Sequence, residues 1–318
     1  MEELTVDGML DIIERSKQEQ ISEFTFDEEQ REAIRHEEGP LWILAGPGTG
    51  KTEVLALRCI RHLLIEGIPA RSIIVTTFTK RAARQLRSRI SEYLKIVRNK
   101  TELDADDSEL LVGTLHSLCE KIMLERRFEE FRNFRMIDEI QQRMFIYENS
   151  RLATNPVDDK EKEALREFWL YFNELQVIPK EQRMYKWNPD ERPLPNKRQM
   201  AKAAQRLFNS VTEMNVNLDE LRSRGGPHEN LIEAIEEYRE KARESFICDQ
   251  SLIQAIFLHF LNSGQGITFL EGDGSDTNPG IQRLLVDEYQ DTNPIQEDLY
   301  FTIASRIGKN ICVVGDDD

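Results

Sequence analysis

The chain has 318 residues, enough for about two domains at roughly 100–200 residues each. Its 58 acidic and 42 basic side chains give a formal charge of −16, with 39 % apolar and 31 % charged residues. This composition excludes a disordered chain and a uniformly basic nucleic-acid coat, but leaves room for local basic patches.

The first 30 residues hold ten acids and two bases, and Met9, Leu10, Ile12 and Ile13 share one face of a short expected helix. A strand over 41–45 then gives way to glycines and a helix from Lys51 to about Glu66, ended by Gly67 and Pro69. The apolar, β-branched run 73–78 predicts a second strand, 80–97 a helix, and 110–114 a third strand followed by another helix. Two more strands are expected over 283–287 and 311–314. Short apolar runs alternating with helices predict an α/β fold with a doubly wound parallel sheet.

The middle reads differently. Residues 131–147, 161–175, 199–214 and 230–245 carry helical periodicity with almost no strand signal. The stretch 187–195 holds three prolines and predicts a loop, and Arg224-Gly225-Gly226-Pro227 predicts a turn. An all-helical insert within an α/β domain is expected. The boundaries implied are an acidic N-terminal extension over 1–21, an α/β part over 22–130 and 248–318, and the insert over 131–247.

The apolar runs 41–45 and 255–261 fall far short of the ~20 residues that cross a bilayer, and the acidic start Met1-Glu2-Glu3-Leu4 lacks a secretion-signal pattern. Cys59, Cys119, Cys248 and Cys312 form no CxxC or Cys/His cluster, so buried free thiols in the cytoplasm are expected rather than zinc or disulfides.

Ala45-Gly46-Pro47-Gly48-Thr49-Gly50-Lys51-Thr52 sits between an expected strand and an expected helix, the context a phosphate-binding loop requires. Glycines let backbone N–H groups converge on phosphate oxygens, and the helix N-terminus adds positive dipole. Lys51 is the candidate for the β and γ phosphates of a bound nucleotide, and Thr52 for Mg²⁺. Ala45 stands where the strict pattern has glycine.

The second signal is Leu284-Leu285-Val286-Asp287-Glu288-Tyr289-Gln290-Asp291. An apolar strand ending in two acids puts carboxylates at the sheet edge where a phosphate loop also sits. Asp287 is the candidate Mg²⁺ holder, through water, and Glu288 the candidate base that orients and deprotonates the attacking water.

Taken together and in order, these motifs resemble the UvrD/Rep/PcrA-like helicases of superfamily 1. Phe26-Asp27-Glu28-Glu29-Gln30 is similar to the family's Q motif, which implies that Gln30 reads adenine. Residues 45–52 match motif I. Thr77-Phe78-Thr79-Lys80-Arg81-Ala82-Ala83 resembles motif Ia, with Lys80 and Arg81 where Asn-Lys is usual, and Gly113-Thr114-Leu115-His116-Ser117 resembles motif Ib. Residues 287–291 with Thr292, Asn293, Pro294 and Gln296 match motif II, and Val313-Val314-Gly315-Asp316-Asp317-Asp318 resembles the opening of motif III. Glu53 departs from the arginine many relatives carry near the base. Phe134-Arg135-Met136-Ile137-Asp138 and the helix after it resemble part of the 1B subdomain, so the insert is expected to be 1B and the rest a RecA-like 1A subdomain.

The resemblance implies an ATP-dependent DNA helicase moving 3′→5′ on single-stranded DNA, with Gln290 sensing the γ-phosphate. From Lys80 to Lys100 there are eight bases and one acid, and Arg81, Arg84, Arg87, Arg89 and Lys95 recur along one helix, dense enough to engage phosphates locally. Phe78 is the candidate for stacking on a base, with Thr79, Lys80, Arg81 and His116 the other DNA candidates; Trp169 and Trp187 read as packing or loop anchors.

No second RecA-like domain is seen in the chain, which predicts the N-terminal half of a helicase, binding Mg-ATP but needing that domain for full turnover. The alternatives are a DNA-stimulated ATPase subunit of a repair or phage-defence complex with a nuclease partner, and a nucleotide-binding interaction module without catalysis.

Overall fold

The computed structural model describes residues 4–19, 21, 23–101, 103–125, 133–150, 196–225 and 227–316. The helix expected over 161–175, the loop over 187–195, Trp169, Trp187, Asp317 and Asp318 lie outside the described residues. No helix among the described residues is long and apolar enough to cross a membrane.

In chain order the elements are α1 (Val6–Gln18), α2 (Glu28–Arg35), β1 (Leu41–Leu44), α3 (Lys51–Leu64), β2 (Ile73–Thr76), α4 (Lys80–Thr101), β3 (Leu111–Gly113) and α5 (Leu115–Glu120). There follow β4 (Arg135–Met136), α6 (Glu139–Asn149), α7 (Lys197–Glu213), α8 (Leu218–Ser223), α9 (Pro227–Glu244), β5 (Ile247–Cys248) and α10 (Gln250–Leu261). The last are α11 (Gly264–Glu271), β6 (Arg283–Val286), α12 (Pro294–Arg306) and β7 (Ile311–Gly315). They divide into two compact units, one of residues 1–119, 258–292 and 296–318, the other of 120–257 and 293–295.

The first unit is built on a five-stranded sheet in the order β1-β7-β6-β2-β3, every neighbouring pair parallel. β2 is buried at all four positions and β6 at three of four, as expected for continuous apolar runs inside a parallel sheet. β1 differs. It lies at the sheet edge, with Trp42 and Leu44 on one face 69 % and 56 % exposed. Strand order depends on long-range pairing, so an apolar run alone does not tell an edge strand from a central one.

α1 is part of this unit rather than an appendage. Met9, Leu10 and Ile13 are fully buried in the same cluster as Leu55 and Ile60 of α3, Leu86 and Ile90 of α4, and Val314 of β7. Thr5 caps α1 by accepting from the Gly8 N–H. At the other end of α2, two buried arginines of α3 satisfy carbonyls that a helix end leaves without partners: Arg61 donates to Ile34 O at 3.0 Å and Arg58 to His36 O at 3.1 Å.

Among its described residues the second unit is helical apart from the parallel pair β4–β5, which joins Arg135 to Ile247 and Met136 to Cys248. The single helix expected over 131–147 is therefore replaced by this strand and α6. Asp138 and Gln141 form a capping box that starts α6 at Glu139, and the Ile137 N–H donates to Cys248 O. Phe208 stacks on Tyr238 at 5.1 Å in the core. Buried Gln142 donates to Asn209 and accepts from Gln205, and the Tyr238 hydroxyl donates to Asp249, whose other carboxylate oxygen caps α10.

Besides the short segment 293–295, the chain passes between the units at 119/120 and 257/258. No loop marks either crossing: α5 runs on into one π-helical turn (Lys121–Glu125), and α10 is continuous through the other.

A buried ionic cluster closes the far end of α3. Glu66 lies 2.8 Å from Arg61, 2.7 Å from Arg283 and 3.0 Å from His62. Burial alone would push the Glu66 carboxyl up; His62, Arg283 and Arg61 outweigh it and hold it well below the carboxylate range. A depressed acid adds stability above its ordinary pKa of 4.5 and loses it as the pH falls below that value. Glu66→Gln is expected to cost about 1–3 kcal/mol near neutral pH, the penalty of leaving buried donors unmatched, in a denaturant titration. The difference from the parent should shrink as the pH falls below about 4.

Candidate functional site

β1 ends at Leu44, and the Ala45 N–H still reaches β7 by donating to Gly315 O. The chain then turns through 45–50 into α3. Gly50 sits at φ +85°, a backbone conformation that favours glycine, and a Cβ there would lie 2.8 Å from the Gln30 side-chain nitrogen and displace that amide. A Cβ at Gly46 or Gly48 would meet nothing within 4 Å, which leaves an open cradle over the loop. Thr49 closes the turn by donating to Gly46 O.

Lys51 is 9 % exposed. Its ammonium donates to Ala45 O at 2.7 Å and Gly46 O at 3.1 Å, and is paired with the Asp316 carboxylate at the end of β7. Gln30 donates to Thr49 O at 2.9 Å and accepts from the Asp27 N–H within the capping box that starts α2. A cavity of about 790 Å³ opens beside the loop, lined by Gln30, Trp42, Thr49 and Lys51 among others.

Across the loop, the Asp287 N–H donates to Thr76 O, which carries the carboxylate off the end of β6 toward Thr52, whose hydroxyl lies 3.5 Å from it. Oδ1 of Asp287 is buried with no hydrogen-bond partner among the described residues. Burial first, and the neighbouring Glu288 charge second, raise this carboxyl to about 6. Glu288 has φ +54°, an uncommon conformation for a residue with a side chain and typical of strained site positions. Gln290 donates to Glu288 at 2.6 Å and accepts from the Asp316 N–H at 3.0 Å. A Cβ at Gly315 would fall 2.8 Å from that Gln290 oxygen.

The candidate DNA residues separate into groups. Phe78, 59 % exposed at the end of β2, shares a cleft of about 50 Å³ with His116, Asp287 and Glu288. Thr79 caps α4, its hydroxyl accepting from the Ala82 N–H, while Lys80 and Arg81 are exposed on the first turn of α4. The basic face of α4 is smaller than its spacing suggested. Arg87 is tied to Leu110 O and Arg89 to Glu53 at 3.0 Å, leaving Arg81, Arg84 and Lys95 exposed. Glu53, raised by burial and only partly restored by Arg89, thus anchors α4 to α3. Sequence reasoning missed the Lys51–Asp316 pair, although Asp316 lies in a segment already singled out as motif III.

A parallel sheet with a glycine-rich loop after one strand and an acidic pair after another, both at one sheet end, defines a RecA-like α/β domain. The chain belongs to the UvrD/REP helicase N-terminal domain family, whose model matches residues 26–318. It is 28 % identical over 295 residues to the ATP-dependent DNA helicase PcrA of Staphylococcus aureus, covering 91 % of this chain and 33 % of that protein. It is 28 % identical over 286 residues to the ATP-dependent DNA helicase SRS2 of Saccharomyces cerevisiae, covering 87 % of this chain and 21 % of that protein. A PcrA from Staphylococcus epidermidis is 27 % identical over 296 residues, with 91 % and 33 % covered. The chain thus spans a third or less of the length of these relatives.

The raised Asp287 carboxyl gives a stability test. The fold favours its protonated form, so the group withdraws stability as the pH climbs from about 4 through 6. In the nucleotide-free protein near pH 7, Asp287→Asn should be more stable than the parent by on the order of 2 kcal/mol, with the gap narrowing toward about pH 4. Thermal unfolding across that range checks it; a variant no more stable than the parent near pH 7 would contradict the burial argument.

Proposed function

We propose that this chain is the ATP-binding part of a DNA helicase or translocase that couples ATP hydrolysis to 3′→5′ movement on single-stranded DNA. The observation that carries the reading is the convergence of an open phosphate cradle, a buried lysine and a buried, partnerless carboxylate oxygen at one end of one parallel sheet. Relatives named ATP-dependent DNA helicases support it. Because the chain spans a third or less of their length, a second RecA-like domain of the same protein is part of the proposal.

The site fits Mg-ATP. The backbone of 45–50 and Lys51 would take the phosphates, the ammonium exchanging the Asp316 carboxylate for phosphate oxygens. Thr52 and Asp287 offer the hard oxygen donors that Mg²⁺ prefers, and the free Oδ1 of Asp287 is suited to a water of its shell. When bound, the ion neutralises phosphate charge and polarises the γ-phosphoryl group. Glu288 would hold the attacking water and take its proton. Gln290, bonded to both Glu288 and the Asp316 backbone, would move with either and so register what Lys51 holds.

An amide has two N–H bonds and two lone pairs on oxygen. Gln30 spends one of each on Thr49 and Asp27, which leaves one donor and one acceptor for the N7 and 6-amino group of adenine. Phe78 and His116, in one cleft with Asp287 and Glu288, would let a bound strand act on the hydrolytic carboxylates.

Lys51→Ala should weaken ATP binding by at least about tenfold in equilibrium titration. Glu288→Gln should keep ATP affinity and lose about 10²–10⁴ in single-turnover hydrolysis; normal turnover would remove Glu288 as the base. Phe78→Ala should cost ~1–3 kcal/mol of single-stranded DNA affinity, read by fluorescence anisotropy. Hydrolysis indifferent to single-stranded DNA in the complete protein would count against the motor and favour a nucleotide-binding module.

A further inference from the structure

The face of α1 that does not enter the core carries Asp7, Asp11 and Glu14, spaced to lie along one side of the helix. This side meets α2. Arg35 pairs with Asp7 at 2.6 Å, and Arg31 reaches Asp11 at 3.3 Å and Glu14 at 2.7 Å. Glu14 does something the other two acids do not. One of its oxygens pairs with Arg31, and the other accepts the backbone N–H of Phe26 at 2.5 Å. The Glu14 and Arg31 side chains are only 13 % and 16 % exposed, so this contact is shielded from water and salt far more than a surface pair.

Phe26 and Arg31 flank Gln30. Between them lies the Asp27–Gln30 capping box, in which the Gln30 amide oxygen is already held by the Asp27 N–H. One carboxylate therefore grips the chain before the cap and the helix just after it. A second tether, from the Gln18 side chain to Phe24 O at 2.9 Å, holds the approach to this segment. At its other end the Gln30 amide rests on Thr49 and against Gly50 of the phosphate loop. The path runs from Glu14 through Phe26 and Arg31 to Gln30 and the loop. It begins in a helix that lies wholly before residue 26, where the match to the family model starts.

We propose that Glu14 is a positioning residue for recognition of the nucleotide base: by clamping Phe26 and Arg31 it orients Gln30 toward the base, which makes α1 part of the base-selective apparatus. The inference rests on the reading of Gln30 as the base-contacting amide. Its signature is selective. Contacts to the phosphates come from 45–52, which Glu14 reaches only at second hand through the Gln30–Thr49 bond, so loosening the clamp affects ligands with an adenine base far more than those without one.

The test uses the 318-residue chain, with ATP and inorganic tripolyphosphate each displacing a fluorescent ADP analogue. Glu14→Ala should lower ATP affinity about tenfold, the scale of one lost hydrogen bond to the base, and leave tripolyphosphate affinity within about twofold. Glu14→Gln, which keeps an acceptor for Phe26 but loses the charge that holds Arg31, should fall between and guards against misfolding of the alanine variant. Ile13→Val, which removes a buried methyl from the same helix, should lower the melting temperature and leave the ATP-to-tripolyphosphate ratio unchanged. Gln30→Ala serves as the reference. If Gln30→Ala collapses the ratio and both Glu14 variants preserve it, the clamp is overturned and the base reading stands. If Gln30→Ala also preserves it, the base reading falls and the clamp with it.

Discussion

Register between β1, β7 and β6 is the constraint on which the site depends. Leu44 pairs with Gly315 and Val286 with Val313, so three parallel strands end within two residues of one another at the same side of the sheet. Loops that leave such ends share one crevice, because every crossover helix must return along a face of the sheet to start the next strand. The glycine-rich loop 45–50, the Asp287–Gln290 turn and Asp316 therefore converge without any of them being near another in sequence. A slip of one residue in the β1–β7 pair would turn every β1 side chain to the opposite face and carry Lys51 away from Asp316. The buried lysine tolerates its desolvation because this register puts carbonyls and an opposite charge against it; the buried aspartate, with a hydroxyl no nearer than 3.5 Å, does not, and its carboxyl is raised.

Charge is distributed in a way the total of −16 hides. The acids of α1 are matched one helix away by Arg31 and Arg35, and Lys17 of α1 pairs with Glu92 of α4. Internal pairing of this kind holds α1, α2 and α4 around α3 and removes several formal charges from the field a distant ligand experiences. The exposed bases at the start of α4 lie beside Phe78, so an anionic strand would meet a positive local surface on a negative chain.

Much of this was legible in the residues. Each expected strand of the sheet is present within one or two positions, because buried parallel strands are the simplest pattern a sequence carries: short, continuous and apolar. The glycine-rich loop and the Asp287–Glu288 pair were legible because backbone conformation and charge there are dictated by residue type. What escaped depended on distant partners. The exposure of Trp42 follows from strand order. The removal of Arg87 and Arg89 from a basic face follows from Leu110 O and Glu53, which no helical wheel contains. The strand at Arg135 exists because β5, more than a hundred residues later, offers it a neighbour, and Asp138 then restarts the helix. Glu14 was hidden for a similar reason: in sequence it is one acid among ten, and its meaning comes from a backbone N–H twelve residues on.

The edge position of β1 has a consequence for how the protein comes into being. Its only strand neighbour among the described residues, β7, lies about 270 residues downstream. At roughly 5–20 residues per second of ribosomal synthesis, tens of seconds pass before that neighbour emerges. Throughout that interval the segment bearing Trp42 and Leu44 is an apolar strand with both edges unsatisfied, the kind of segment that chaperones bind and aggregates recruit. The candidate nucleotide site thus cannot assemble until β7 has emerged.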